Sequence, residues 1–233
     1  MKVIVTGATK GIGRAISEAF LAEGADIAVC ARTQADLEQM KAALQAAYPN
    51  AEILTQQVDV GNKAEVLAFG QFIQSKWDRV DVLVNNAGVF IPGKISEEEA
   101  GALEQMMNVN LYSAYYLSRS IIPMMKTQKS GHIFNICSIA SLMAYPHGSS
   151  YSITKFAMLG LSKVLRDELK EDGIRVTSIL PGATWSNSWE GSGFPKERLM
   201  KAEDVAKTVV GAYNLSHQAV VEEIVLRPQL GDL

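Results

Sequence analysis

Short apolar runs alternate with longer stretches whose apolar residues recur at helical spacing, and this alternation persists along the whole chain. The runs at 2–6, 26–30, 52–58, 82–85, 132–137, 175–180 and 222–226 predict strands. Helical patterns lie near 12–23, 33–47, 62–77, 98–127, 151–171 and 203–215. In the first of these, Ile12, Ala15, Ile16, Ala19 and Phe20 share one face. Gly24 and Gly173 stand where a helix should end before the next strand. Several strand runs, such as Val82-Leu83-Val84, are apolar without alternation, which suits strands covered on both faces of a parallel sheet. Strand–helix alternation without a repeat or a Pro/Ser-rich linker predicts a single α/β domain, a doubly wound parallel sheet of Rossmann-like type spanning 1–233. Ligands of such sheets bind at the carboxyl ends of the strands.

Composition narrows the function classes. A formal charge of −3 argues against a nucleic-acid binder, which needs a dense basic surface. No apolar run reaches the roughly 20 residues of a spanning helix, and only Lys2 precedes the short apolar Val3–Val5 segment, so neither a membrane span nor a signal segment is expected. Cys30 and Cys137 lie in strand-like runs and read as buried, reduced thiols of a cytoplasmic protein. His132, His147 and His217 are scattered, and no metal site is expected.

The first strand runs directly into Thr6-Gly7-Ala8-Thr9-Lys10-Gly11-Ile12-Gly13 and then into the first helix. Gly7, Gly11 and Gly13 can turn tightly and admit a pyrophosphate, and the helix start, with Thr9 and Ile12 beside it, offers N–H groups to phosphate. A purely structural turn is the alternative. After the second strand, where an NAD enzyme usually has an acid, the chain reads Cys30-Ala31-Arg32-Thr33, with no acid until Asp36. Arg32, with Lys10 in the glycine turn, could pair with a 2′-phosphate, so NADP is expected over NAD.

Two further clusters could carry chemistry. Asn85-Asn86-Ala87-Gly88 closes the fourth strand, where amide side chains could tie neighbouring strands and the small pair could leave room for a ribose. Tyr151 and Lys155 in Tyr151-Ser152-Ile153-Thr154-Lys155 would share a helix face one turn apart. A phenol works as an acid–base group near neutrality only if nearby positive charge favours its phenolate, and Lys155 could provide it. Ser138, 13 residues before Tyr151 at a strand end, could hydrogen-bond a substrate oxygen. Asn110, within a long helical segment, could cap or kink the helix or hold a water that passes protons to Lys155.

The G-x-x-x-G-x-G turn, the NNAG stretch, Asn110, Ser138 and the Tyr151/Lys155 pair together resemble the short-chain dehydrogenase/reductase family over essentially the whole chain. The resemblance implies an oxidoreductase that moves a hydride between NADP and a small carbonyl or alcohol. Tyr151 would be its acid/base, and Lys155 would tune that phenol and bind the nicotinamide ribose. Ser138 would polarise the carbonyl, and Asn110 would support a proton relay. It also makes Asp59 an adenine contact, with a helix N-cap as the alternative, and places Asn86, Ala87 and Gly88 by the cofactor. Pro181 and Gly182 would lie beside the nicotinamide, with either Thr184 or Ser186 meeting its carboxamide. Relatives commonly form homodimers or homotetramers through two long helices, here offering Tyr112, Tyr115, Tyr116, Leu117 and Met158.

The polar, aromatic stretch 185–200 reads as a lid. Trp185, Trp189, Phe194, Tyr145 and His147 could face a substrate, or could be ordinary packing residues. The ending at 220–228, the placement of Trp189 and the short lid resemble bacterial sepiapterin-reductase-like members. That likeness implies a pterin or dicarbonyl substrate, with Trp189 stacking on the ring and Asp232 meeting its amino group. Reduction of 3-oxoacyl thioesters is a competing reading, though only Lys196, Arg198 and Lys201 cluster near the lid for an acidic carrier. Dinucleotide binding without turnover is another, disfavoured because both Tyr151 and Lys155 are present.

Overall fold

The computed structural model describes residues 1–186 and 193–232. Seven strands form one all-parallel sheet in the order β3-β2-β1-β4-β5-β6-β7. They are β1 Lys2–Thr6, β2 Asp26–Ala31, β3 Ile53–Gln57, β4 Val82–Asn85, β5 Gly131–Ile136, β6 Ile174–Pro181 and β7 Glu223–Leu226. The helices are α1 Gly11–Ala22, α2 Gln34–Ala47, α3 Lys63–Lys76, α4 Ala102–Met107, α5 Ser113–Gln128, α6 Ser149–Leu169 and α7 Ala202–Tyr213.

The unalternating strands follow from helices on both faces. Val3, Val5, Ile27, Val29, Val82, Val84 and Phe134 point to the layer of α1, α2 and α7. Their neighbours Ile4, Ala28, Cys30, Leu83 and Ile133 point to α3, α5 and the far end of α6. Each strand residue is therefore buried whichever way its Cβ points, and each such Val or Leu contributes about 1.5–3 kcal/mol of transfer free energy. Gly24 and Gly173, at φ +77° and +74°, end α1 and the turn after α6 in the left-handed region.

The predicted single helix over 98–127 begins later, at Ala102, and contains a π-helical turn at Asn108–Tyr112. Such turns displace the register by one residue and let a mid-helix side chain face inward. Asn110, 1% exposed, is that side chain. Leu117 and Met158, expected on an assembly surface, are buried in the core, whereas Tyr112, at the end of the π-helical turn, and Tyr115, on α5, are exposed. Burial pushes the Cys30 thiol up to about 12 and raises that of Cys137, so both remain neutral and unpaired. Among the described residues, no helix is long and apolar enough to cross a membrane, and no group of His, Cys, Asp and Glu could hold a metal ion.

The strand order reverses direction between β1 and β4. The carboxyl ends diverge there, and loops from both halves enclose a cleft.

Candidate active site

The cleft has a volume of about 880 Å³ and runs from the β1–α1 turn, across the ends of β4 and β5, to the start of α6. At one end, the first turn of α1 carries neither a side-chain cap nor an acid. Arg14 N donates to Lys10 O at 3.3 Å as the first helical bond, so the N–H groups of Gly11, Ile12 and Gly13 lack intrahelical acceptors. Gly7 and Gly11 have φ of +65° and +55°, a region open at little cost to glycine. A Cβ on Gly13 would strike Asn86 Nδ2 and approach Gly7 O to 2.5 Å, so the turn closes only without one. Gly7, Thr9, Lys10, Gly11 and Ile12 line the cleft; Gly13 supports them from behind. Open N–H groups at a helix start fit the pyrophosphate of a dinucleotide.

The two asparagines at the end of β4 have separate tasks. Asn85 Nδ2 donates to Ser118 Oγ at 3.0 Å and to Asn135 Oδ1 at 2.8 Å, joining β4 to α5 and β5. Asn86 Nδ2 donates to Thr6 O and Gly7 O at 2.9 and 3.0 Å, while the N–H groups of Asn86 and Ala87 both donate to Thr6 Oγ1. The glycine turn is thus tied to β4. Gly88 lies beside both Lys155 and Asn110: a Cβ there would sit in ordinary contact, 3.7 Å from Lys155 Nζ and 3.5 Å from Asn110 Oδ1.

Arg32, Asp59, Asn86, Ala87 and Gly88 all line the cleft. Asp59 accepts from Gly61 N at 2.9 Å, and the N-cap of α3 is Asn62, which excludes the alternative task for Asp59.

At the other end, Ser138, Tyr151 and Lys155 line the same cleft. Lys155 is 4% exposed, its Nζ donating to Ile136 O at 2.9 Å and lying 5.7 Å from the centre of the Tyr151 ring. Ser138 caps the short turn after β5, accepting from Ala140 N at 3.1 Å, which leaves its hydroxyl proton to donate. Asn110 Oδ1 accepts from Val89 N at 2.7 Å, and its Nδ2 donates to Val89 O at 2.9 Å and Thr154 Oγ1 at 3.0 Å. It therefore couples the π-helical turn to the stretch after β4 and to the helix that bears Tyr151.

Pro181, Gly182 and Thr184 line the cleft beyond β6, and Thr184 Oγ1 donates to Gly182 O at 3.0 Å. Ser186 also lines it, close over Gly11, where an added Cβ would meet its own Cβ at 3.2 Å. Of the residues expected to face a substrate, Tyr145 lines the cleft. His147 does not; it is exposed at φ +53°, its carbonyl accepting from Gly93 N at 2.7 Å. Trp185 is also absent from the described lining, because its backbone pairs with Met200 and its ring lies 5.2 Å from Lys196 Nζ. Trp189 falls outside the described residues.

Three contributors had no motif to mark them. Phe90 packs edge-on against Tyr151 and Tyr145, with ring centres 5.1 and 6.3 Å apart. Thr154 is the partner of Asn110 inside the Y-x-x-x-K stretch. Glu98 caps the helix that bears Tyr151: Ser150 N donates to it at 3.1 Å, and so does Ser150 Oγ. No local signal marks Glu98 for this task, because the partner it caps, Ser150, lies 52 residues on.

The short-chain dehydrogenase family model matches residues 1–193. The sepiapterin reductase of Chlorobaculum tepidum is 34% identical, over 99% of this chain and 97% of that protein. Among solved structures, a metagenomic short-chain oxidoreductase in complex with NADP is 28% identical and covers 98% of this chain and 97% of its own, at a TM-score of 0.86. The L-sorbose reductase of Gluconobacter frateurii, complexed with NADPH and L-sorbose, is 26% identical with a TM-score of 0.90, covering 97% and 95%.

Proposed function

The chain belongs to the short-chain dehydrogenase/reductase family of NAD(P)-binding oxidoreductases, and from that premise we propose that it is an NADP-dependent carbonyl reductase acting on a small pterin or dicarbonyl substrate. The observation that carries the proposal is the convergence of Ser138, Tyr151 and Lys155 on one cleft with the open glycine turn. When bound, the nicotinamide supplies the hydride. Tyr151 then gives its phenolic proton to the substrate oxygen, while the Ser138 hydroxyl donates to that same oxygen and fixes its position. Lys155 holds a positive charge beside the phenol, and the bare backbone of Gly88 leaves its ammonium open to a ribose. Asn110 positions Tyr151 and Lys155 through Thr154.

NADP rather than NAD is supported by Arg32 and Lys10 at the cleft edge and by the NADP and NADPH complexes of similar structures. The pterin reading is supported by the Chlorobaculum tepidum relative and by the aromatic pair Phe90 and Tyr145 beside Tyr151. Self-association through α5 and α6 belongs to the same proposal, supported by exposed Tyr112, Tyr115, Ile153 and Phe156. The test is a panel of sepiapterin, diketones, aldehydes and ketones with NADPH and NADH in parallel. Sepiapterin- or diketone-dependent oxidation of NADPH, several-fold faster than of NADH, is the expected result. Turnover confined to NADH would overturn the cofactor assignment, and no turnover of sepiapterin or any diketone would overturn the substrate class.

A further inference from the structure

The cations that edge the adenosine end of the cleft differ in their state. Arg32 is exposed; its carbonyl accepts from Gln57 Nε2 at 2.9 Å, but its guanidinium makes no hydrogen bond or ion pair among the described residues. Lys10 is engaged: its Nζ lies 3.2 Å from Asp36 Oδ2, and both residues line the cleft. Asp36 stands in the first turn of α2, whose N-cap residue, Thr33, makes no side-chain cap bond. An anion in that turn is favoured by the free N–H groups of the helix start. The Asp36 carboxylate thus already occupies the electrostatic position that a phosphate on the adenosine ribose would seek. It neutralises one of the two cations available to such a phosphate.

We propose that Asp36 is a specificity-determining residue that restrains the preference for the 2′-phosphorylated dinucleotide. It holds Lys10 in a competing ion pair and presents a like charge to the phosphate. This rests on the reading of Lys10 and Arg32 as 2′-phosphate contacts. The pair is half-exposed, so a dianionic phosphate can displace it, and the restraint is graded rather than absolute. NADH, which lacks the phosphate, gains little from a free Lys10.

The test is titration of the full chain and its Asp36→Asn and Arg32→Ala variants with NADPH and with NADH at fixed ionic strength. Asp36→Asn should tighten NADPH by roughly threefold to tenfold, the scale of one screened surface charge acting on a phosphate. NADH should stay within about twofold, which also reports that the variant is folded. Raising the salt should shrink the NADPH gain, because exposed charges are screened. An Asp36→Asn variant that binds NADPH no better, or tightens both dinucleotides equally, overturns the role of Asp36. A parent chain that prefers NADH and is indifferent to Arg32→Ala defeats the 2′-phosphate reading itself. The Arg32→Ala measurement therefore separates the two failures.

Discussion

The two ends of the cleft are built from different materials. At the β1–α1 end, recognition is a property of backbone: uncapped N–H groups, two glycines at positive φ, and Gly13, which admits no Cβ. At the β5–α6 end, the working groups are side chains fixed by bonds to remote parts of the chain, Asn110 to the Val89 backbone and the Thr154 hydroxyl, Lys155 to Ile136 O, with Glu98 accepting from Ser150 N. A backbone cradle needs only a short contiguous stretch and suits a ligand group as uniform as pyrophosphate. A side-chain cluster draws on four parts of the chain, and it can hold a proton donor to the tolerance that chemistry requires.

The contrast can be broken most severely at Gly13. Gly13→Ala forces a methyl against Gly7 O and Asn86. It should cost roughly 1–3 kcal/mol of stability by overpacking and weaken NADPH by at least about tenfold through displacement of the turn. A melt and an NADPH titration would check both. At the side-chain end, Asn110→Ala leaves Val89 N and O without their partner and takes one of two from Thr154 Oγ1, which still donates to Tyr151 O. A loss of about 2–3 kcal/mol in urea unfolding is expected, with kcat falling further than NADPH affinity.

A smaller effect comes from behind both ends. His132, at the start of β5, is buried, and desolvation with the nearby Arg175 charge pushes its imidazole down to about 2. Thr177 Oγ1 donates to Val221 O, so His132 Nε2 carries the proton it offers Thr177 at 2.7 Å; its Nδ1 has no partner among the described residues. The folded state holds the neutral ring while the unfolded chain takes up a proton below about 6.5. Stability should therefore fall as the pH drops below that value, by about 1.4 kcal/mol per unit, continuing toward the folded value. Urea unfolding between pH 7.5 and 5 would show this slope, and His132→Asn should flatten it. The smallest effect belongs to Glu98→Gln, which removes the anion from the start of α6 and should lower stability by about 1 kcal/mol or less in a melt, with NADPH affinity unchanged.

The same contrast decides what could be read from the chain itself. The strand runs and glycine turn are local patterns, and each predicted strand lies within a residue or so of its place. Lys155 follows Tyr151 by one turn of a single helix, so their shared face was legible from spacing. The π-helical turn at Asn108–Tyr112 was not, because its extra residue is stabilised by contacts to Val89 and Thr154 that are remote in sequence. Glu98 reads in sequence as the first turn of a helix, which its charge suits equally well; its partner, Ser150, lies 52 residues on. The substrate end proved hardest to read. His147 and Trp185 had the right chemistry, but backbone pairings with Gly93 and Met200 fix them away from the described lining.

The most direct measurement is made on Tyr151→Phe, which removes one oxygen and leaves the packing against Phe90 intact. If Tyr151 is the proton donor, carbonyl-dependent NADPH oxidation should fall by at least roughly a hundredfold. The NADPH dissociation constant should stay within about threefold, since the glycine turn is untouched. A variant that turns over substrate at nearly the parent rate would contradict the assignment.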